Sequence, residues 1–228
     1  MSNFLRQSGM KEKKKLKSSV VILILIFILV AGAWFRTINL NWDEGFHLHP
    51  DERFLSQVIA QIRPVNSVSE YFNTETSALN PNNSGFTFFV YGTFPLFLIR
   101  YAGEWTGQTG YDLNTILGRQ LSATFDILTI LIVFLIAYKL YNERAGLIAA
   151  ALYALAVFPI QQSHFMTVDT FTNTFGMLTV LAAVNILKLR PNKEEPSRTP
   201  KVLWQRFWPY IFFGLALGMA TASKINAV

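Results

Sequence analysis

The sequence predicts an all-α polytopic membrane protein, and three observations carry that prediction. Hydrophobic residues fill 51% of the 228 positions, twenty of them Phe, while charged residues fill only 15%; a chain that faces water on all sides averages about 25% charged. Five apolar runs follow one another, each close to the length a helix needs to cross a hydrocarbon core of roughly 30 Å. The net charge of +6 is not spread out: six of the twenty Lys and Arg lie in the first seventeen residues and six more between Lys188 and Arg206. Basic clusters beside apolar runs mark cytoplasmic membrane flanks, so no nucleic-acid partner is expected. The absence of cysteine excludes a disulfide framework, a thiolate nucleophile and a thiolate metal site.

The elements follow in order. Residues 1–17 read as a cytoplasmic basic tail, which places the amino terminus inside. Residues 18–35 (SSVVILILIFILVAGAWF) form the first transmembrane helix, with Trp34 and Phe35 at interface depth. A cleaved signal peptide is the rival reading, because Ala31-Gly32-Ala33 supplies small residues after a basic and an apolar region. Residues 36–119 make a large outer loop that holds eight of the fourteen acids and two interfacial helices, at about 50–62 and 86–102. The stretch FTFFVYGTFPLFLI within the second is too short for an ordinary span and contains Gly92 and Pro95. Charge arbitrates: if it stays on the surface, fourteen Lys and Arg lie inside against six outside, and if it crosses, the inside count falls to nine. It is therefore expected to lie on the membrane. Further transmembrane helices are expected at 120–138, 145–163, 170–187 and 207–223, with a Pro-containing cytoplasmic linker at 188–206. Lys224 comes four residues before the last residue, and an ending so close to an apolar segment suggests a longer polytopic protein truncated after 228. The localisation expected is a multi-pass plasma-membrane protein.

Chemistry concentrates in two places. Just after the first span comes NWDEGFHLHPDERFLSQVIAQI, in which Pro50 suits the first position of a helix, His49 its cap, and Asp51 and Glu52 its first turn. Carboxylates there are favoured by the positive end of the helix dipole. Both are common as plain helix-start acids, but on a surface helix they are also placed to act at headgroup depth. Phe54, Leu55, Val58, Ile59 and Ile62 form one apolar side, which is expected to rest on the membrane. The second place is QQSHFMTVD, where Asp169 opens a helix, either as a simple N-cap or as an acid facing the first-loop pair. His164 reads as a hydrogen-bonded spacer or a ligand contact. The run His47, His49, Asp51 and Glu52 has the donor types of a metal site without further fixed spacing, so a divalent metal stays open and none is assigned. Asp126 is the lone acid within an apolar run; it is read as structural, paired with Arg119 or with a neighbouring helix. Arg119 could otherwise meet a lipid phosphate.

These residues resemble a family. HPDERF opening an outer loop, YGTFPLFL, GRQLSATFDILTILIVFLIAYKLY, SHFMTVDTF and a closing GLALGMATASK are similar to the amino-terminal part of the polyprenyl-phosphate-sugar-dependent membrane glycosyltransferases. These form the GT-C group that includes protein O-mannosyltransferases and the aminoarabinose transferases. The resemblance runs from about Val20 to the end. It implies a partial GT-C-like helical bundle and a glycosyltransferase whose donor is a polyprenyl-phosphate-linked sugar and whose acceptor is a protein, lipid or glycan. It implies Asp51 as general base and Glu52 as its catalytic neighbour. Asp169 and Arg119 are implied at the substrate, with His49, Arg53 and His164 as candidate substrate-binding residues around them. Members of the group have more spans and a carboxy-terminal region, so this stretch alone is expected to be inactive. No nucleotide-binding glycine loop occurs, and a lipid-phosphate leaving group needs none. The alternative weighed is a polytopic transporter or lipid carrier, which would concentrate ionisable groups at the bilayer midplane; only Asp126 does so.

Overall fold

The structure, a computed structural model, describes residues 16–188 and 200–225. Most of the expected basic tail and most of the expected linker lie outside those residues. Nine α-helices and one 3-10 turn are present among the described residues, with no strand: α1 Ser18–Thr37, α2 Pro50–Gln61, α3 Val68–Phe72, the 3-10 turn Pro81–Ser84, α4 Phe94–Thr106, α5 Tyr111–Leu140, α6 Glu143–Leu155, α7 Val157–Ser163, α8 Asp169–Leu187 and α9 Pro200–Ser223. Helices α1, α5 and α8 are long and apolar enough to cross a membrane, and α6 with α7 makes a fourth such path if the bent pair is one span. The last expected span falls on Phe207–Ser223, a shorter apolar stretch of α9.

Sequence explains most boundaries. Helix α2 starts as its residues dictate: Pro50 is the first helical residue and His49 Nδ1 accepts the Glu52 amide at 3.3 Å. Asn142 caps α6, its Oδ1 accepting the amides of Arg144 and Ala145 at 3.1 Å. Helix α8 differs from expectation. Its N-cap is Val168, which offers no side-chain acceptor, and Asp169 is the first helical residue; Asp169 is not a cap and its carboxylate is free for other work.

The expected single helix at 145–163 is broken at Ala156, where the path turns by 58°. Pro159, in the first turn of α7, has no amide to donate backwards and its ring would strike the preceding turn, so one continuous helix cannot form. The expected surface helix at 86–102 is helical only from Phe94 to Thr106. Pro95 sits in its first turn, and the residues before it run as irregular chain.

Two cores hold these elements. One joins Ile28 of α1, Ile130 and Phe134 of α5 and Leu147, Ala150 and Ala154 of α6. The other joins Leu55, Val58 and Ile59 of α2 and Ile62 just after it, Leu96 and Ile99 of α4, Leu117 of α5, and Met166, Val168 and Phe171. This corrects the expectation for α2: Leu55, Val58, Ile59 and Ile62 are fully buried in protein, so that side does not rest on lipid. By contrast Ile22, Leu23, Phe27 and Val30 of α1 stay exposed, as residues facing hydrocarbon should.

Candidate active site

The site is built where the segment after α1, residues 38–49 (the first loop), docks on the segment between α7 and α8, residues 164–169 (the second loop). Neighbouring residues on a helix point about 100° apart, and the Asp51-Glu52 pair divides accordingly: Asp51 is exposed and Glu52 is fully buried. The two Glu52 carboxylate oxygens receive Arg119 Nε at 2.8 Å and Nη2 at 2.7 Å, and Oε1 also accepts the Met166 amide at 2.7 Å. Arg119 Nη1 and Nη2 then donate to the two oxygens of Asp43 at 3.0 and 2.8 Å, and Nη1 also donates to the Leu40 carbonyl at 2.8 Å. The Trp42 ring lies 5.5 Å from the guanidinium. The Arg119 guanidinium beside Asp43 lowers that carboxyl to a pKa of about 2, against the opposing effect of burial.

Arg119 is 1% exposed and all five of its N–H donors are engaged, so the phosphate contact expected of it has no donor left to make it. Glu52 faces the same enclosure. What the trio does is tie four pieces of chain together: residues 40–43, α2, α5 and the second loop at Met166. The 38–48 segment that wraps Arg119 is strained to do so, with Asn39, Glu44 and His47 in the left-handed region at φ 55°, 53° and 49°.

The other candidates fall around this brace. The His49 ring packs on Phe165 with centroids 4.3 Å apart. Arg53 Nε donates to the His47 carbonyl at 3.0 Å. His164 places its ring nitrogens 2.8 Å from the Ile160 carbonyl oxygen and 2.9 Å from that of Ile38, pinning the second loop to the end of α1. His47 Nε2 sits 2.8 Å from Asp112 Oδ1. The four residues of the HxHxDE run therefore point to different partners, and among the described residues no three metal-ligating side chains converge.

Asp51 and Asp169 both act on a residue that sequence reasoning passed over. The Tyr91 phenol is pushed above its usual range first by burial, then by the charge of Asp51 and a hydrogen bond to it, and last by the charge of Asp169. Its position is set by packing on Phe54, one turn from Asp51, at 6.0 Å. It is also set by Gly92, where a Cβ would run into the backbone of Ala222 and Ser223. That close approach brings in Lys224, whose Nζ lies 2.7 Å from Asp169 Oδ1. Behind the pair opens a cavity of about 580 Å³ lined by Asp169, Lys224, Gln162, Phe158, Asn173 and Tyr153 among others.

Asp126 also lines this cavity, and its partner is not Arg119. Its Oδ2 receives Arg36 Nε at 2.5 Å and its Oδ1 receives the Tyr153 hydroxyl at 2.6 Å. Arg36, fully buried, also donates to the carbonyls of Ala154 at 2.9 Å and Tyr153 at 3.3 Å. These are carbonyls at the end of α6 beside the Ala156 break, which need a partner. The neighbouring-helix alternative is thus the one found. A neutralised, fully bonded Asp126 is poorly suited to carry an ion, which removes the main support for a transporter.

The sequence model of one family, described as dolichyl-phosphate-mannose-protein mannosyltransferase, matches residues 57–228. The chain belongs to this family. A search of curated proteins and a search of solved structures each found no match. Membership makes this chain a GT-C membrane glycosyltransferase of the class that uses a lipid-phosphate-mannose donor and a protein acceptor. The all-helical architecture with its membrane-length helices agrees with that fold. The mannosyltransferase match begins at Gln57, so the HPDE segment lies just outside it and its roles rest on geometry.

Two signals for the missed residues were present in the sequence. Arg36 and Asp126 are lone opposite charges, one ending an apolar run and one inside another, and that arrangement calls for a pair. Lys224 directly follows an apolar helix on the side expected to hold Asp169. Tyr91 carries no such signal beyond its place in YGTFPLFL, because aromatic residues are abundant throughout.

Proposed function

We propose that the chain transfers a mannosyl group from a polyprenyl-phosphate donor to an acceptor hydroxyl on the extracytoplasmic side of the plasma membrane, with Asp51 as general base. In this reading the acceptor oxygen attacks the anomeric carbon, the bond from that carbon to the phosphate oxygen breaks, the hydroxyl proton passes to the Asp51 carboxylate, and the lipid phosphate leaves. Asp51 suits the role because it is the exposed acid of the pair, in the first turn of α2. Tyr91, whose phenol keeps its proton at neutral pH, offers Asp51 a hydrogen bond. Lys224, half-exposed beside Asp169, offers a cation where phosphate charge develops. Glu52, Arg119 and Asp43 act as positioning residues that hold the two loops in register. His49, Arg53 and His164 bind no substrate atom in this reading and serve the same docking. No metal is required by it.

The observation that supports the proposal is that Asp51 and Asp169, 118 positions apart in the sequence, both bear on the Tyr91 phenol, while Asp169 and Lys224 line one cavity. The test is Asp51→Asn in the full-length protein, assayed with dolichyl-phosphate-mannose and a hydroxyl-bearing peptide. A positioned base contributes about 10² to 10⁴ in rate; a fall of that size in kcat with unchanged thermal stability is expected. Transfer at the wild-type rate would overturn the assignment of the base.

A further inference from the structure

The cavity behind Asp169 has features that the base and the phosphate do not use. On α8, Asp169, Thr172 and Asn173 fall on one face, as the helical period requires, with Thr170 beside them; Gln162 faces them from α7. Thr170 is 3% exposed and its Oγ1, buried at the cavity wall, has no hydrogen-bond partner. A buried hydroxyl left unbonded is costly, and few native proteins keep one without a purpose. Asn173 donates through Nδ2 to the Tyr153 hydroxyl at 2.7 Å, which leaves its Oδ1 and its second N–H available. Asn173 is exposed on a helix otherwise suited to hydrocarbon, a costly place for the amide groups that Tyr153 leaves over.

The chemistry of this lining is that of a neutral, polyhydroxylated ligand. The charge of Asp126, the buried acid of the lining, is cancelled, because it is paired with Arg36 and bonded to Tyr153. The cation among the lining residues, Lys224, stands with Asp169 at the mouth, so an anionic group belongs there and a neutral one further in. Phe158 and Pro159 supply an apolar wall suited to the C–H face of a pyranose ring. Amide and hydroxyl groups that both donate and accept are the partners such a ring needs.

We infer that Thr170, Asn173 and Gln162 form a sugar-hydroxyl subsite that binds the ring of the donor hexose and decides which hexose is accepted. This rests on the transferase reading above and deepens it. The anomeric carbon then lies toward Asp169 and Lys224, and the ring hydroxyls lie against α8 and α7.

The test measures donor binding, not turnover. Full-length protein carrying Asp51→Asn is reconstituted in lipid and titrated with dolichyl-phosphate-mannose and with dolichyl-phosphate-glucose, alone and with Thr170→Val, Thr170→Ser or Asn173→Ala added. Thr170→Val and Asn173→Ala should each weaken the mannosyl donor by about three- to tenfold, the worth of one lost hydrogen bond, and narrow its preference over the glucosyl donor. Thr170→Ser should restore both. Because the Thr170 hydroxyl bonds nothing within the fold, Thr170→Val should hold or raise the thermal midpoint, which separates a binding role from a structural one. Unchanged affinity and preference would overturn the subsite. So would equal weakening of both donors together with a lower midpoint. The two readings fail separately: normal transfer by Asp51→Asn overturns the base while leaving the subsite standing, and unchanged donor preference overturns the subsite while leaving the base.

Discussion

Adjacent carboxylates, Asp51 and Glu52, have opposite fates because a helix turns about 100° between them. One is exposed and the other joins Arg119 in a dry enclosure. Removing a partner from such an enclosure strands a charge, so substitutions there act on folding before they act on chemistry. Arg119→Lys keeps the charge but has three donors in place of five and no planar fork. It should cost about 2 to 3 kcal/mol, read as a lower thermal midpoint of the solubilised protein; an unchanged midpoint would mean the brace is not holding the loops. Asp43 makes the same enclosure sensitive to acid. Its folded pKa of about 2 lies below the usual 3.8, so its contribution is complete above pH 4 and is lost as pH falls toward 2. At 1.4 kcal/mol per unit that is about 2 kcal/mol, visible as a fall in midpoint over that interval that Asp43→Asn abolishes. From sequence, Asp51, Glu52, Arg119 and Asp169 could be named as candidates. Which of them faces the cavity could not, since exposure depends on what packs against each side of α2 and α5.

At the scale of elements, helix existence was legible and helix continuity was not. Apolar runs show where helices form, because burial or lipid exposure of a long apolar stretch demands internal backbone pairing. The break at Ala156 depends on Pro159, which is visible, and on Arg36, which is 118 positions from Ala154 in sequence and reaches the loosened carbonyls only in the fold. The segment at 86–102 shows the same division. Its shortness and Pro95 argue against a span, yet its functional part is the irregular chain ahead of α4, where Tyr91 meets Asp51 and Gly92 meets the end of α9. Gly92→Val should push the Ala222–Ser223 backbone away and carry Lys224 off Asp169. Because the end of α9 meets the chain ahead of α4 through this approach, the expected result is a fall of about tenfold or more in transfer, in keeping with the sensitivity of rate to small misplacements. Donor titration checks it: weaker donor binding with a near-normal midpoint is expected, and full activity would show that the approach is not tight.

For the whole molecule, the proposed site needs both outer loops on one side of the membrane. The absence of cysteine makes the test clean. Single cysteines at the exposed positions Gln57 and Gln161, and at Ser197, can be labelled in intact cells with a membrane-impermeant maleimide. Labelling at 57 and 161 with protection at 197 is expected; protection at 161 with labelling at 197 would put Asp51 and Asp169 on opposite sides and end the proposal. Sequence by itself determined the class of protein, since apolar length and the placement of Lys and Arg respond to the bilayer, a solvent whose thickness and sidedness can be read one residue at a time. It also supplied the ordered motifs by which the family is similar. Tertiary structure alone decided the pairings: Arg119 with Glu52 and Asp43, Arg36 with Asp126, Lys224 with Asp169, and Tyr91 between the two acids. Each joins positions far apart in the chain, and Coulomb attraction and hydrogen bonding depend on distance in space, which local pattern does not specify.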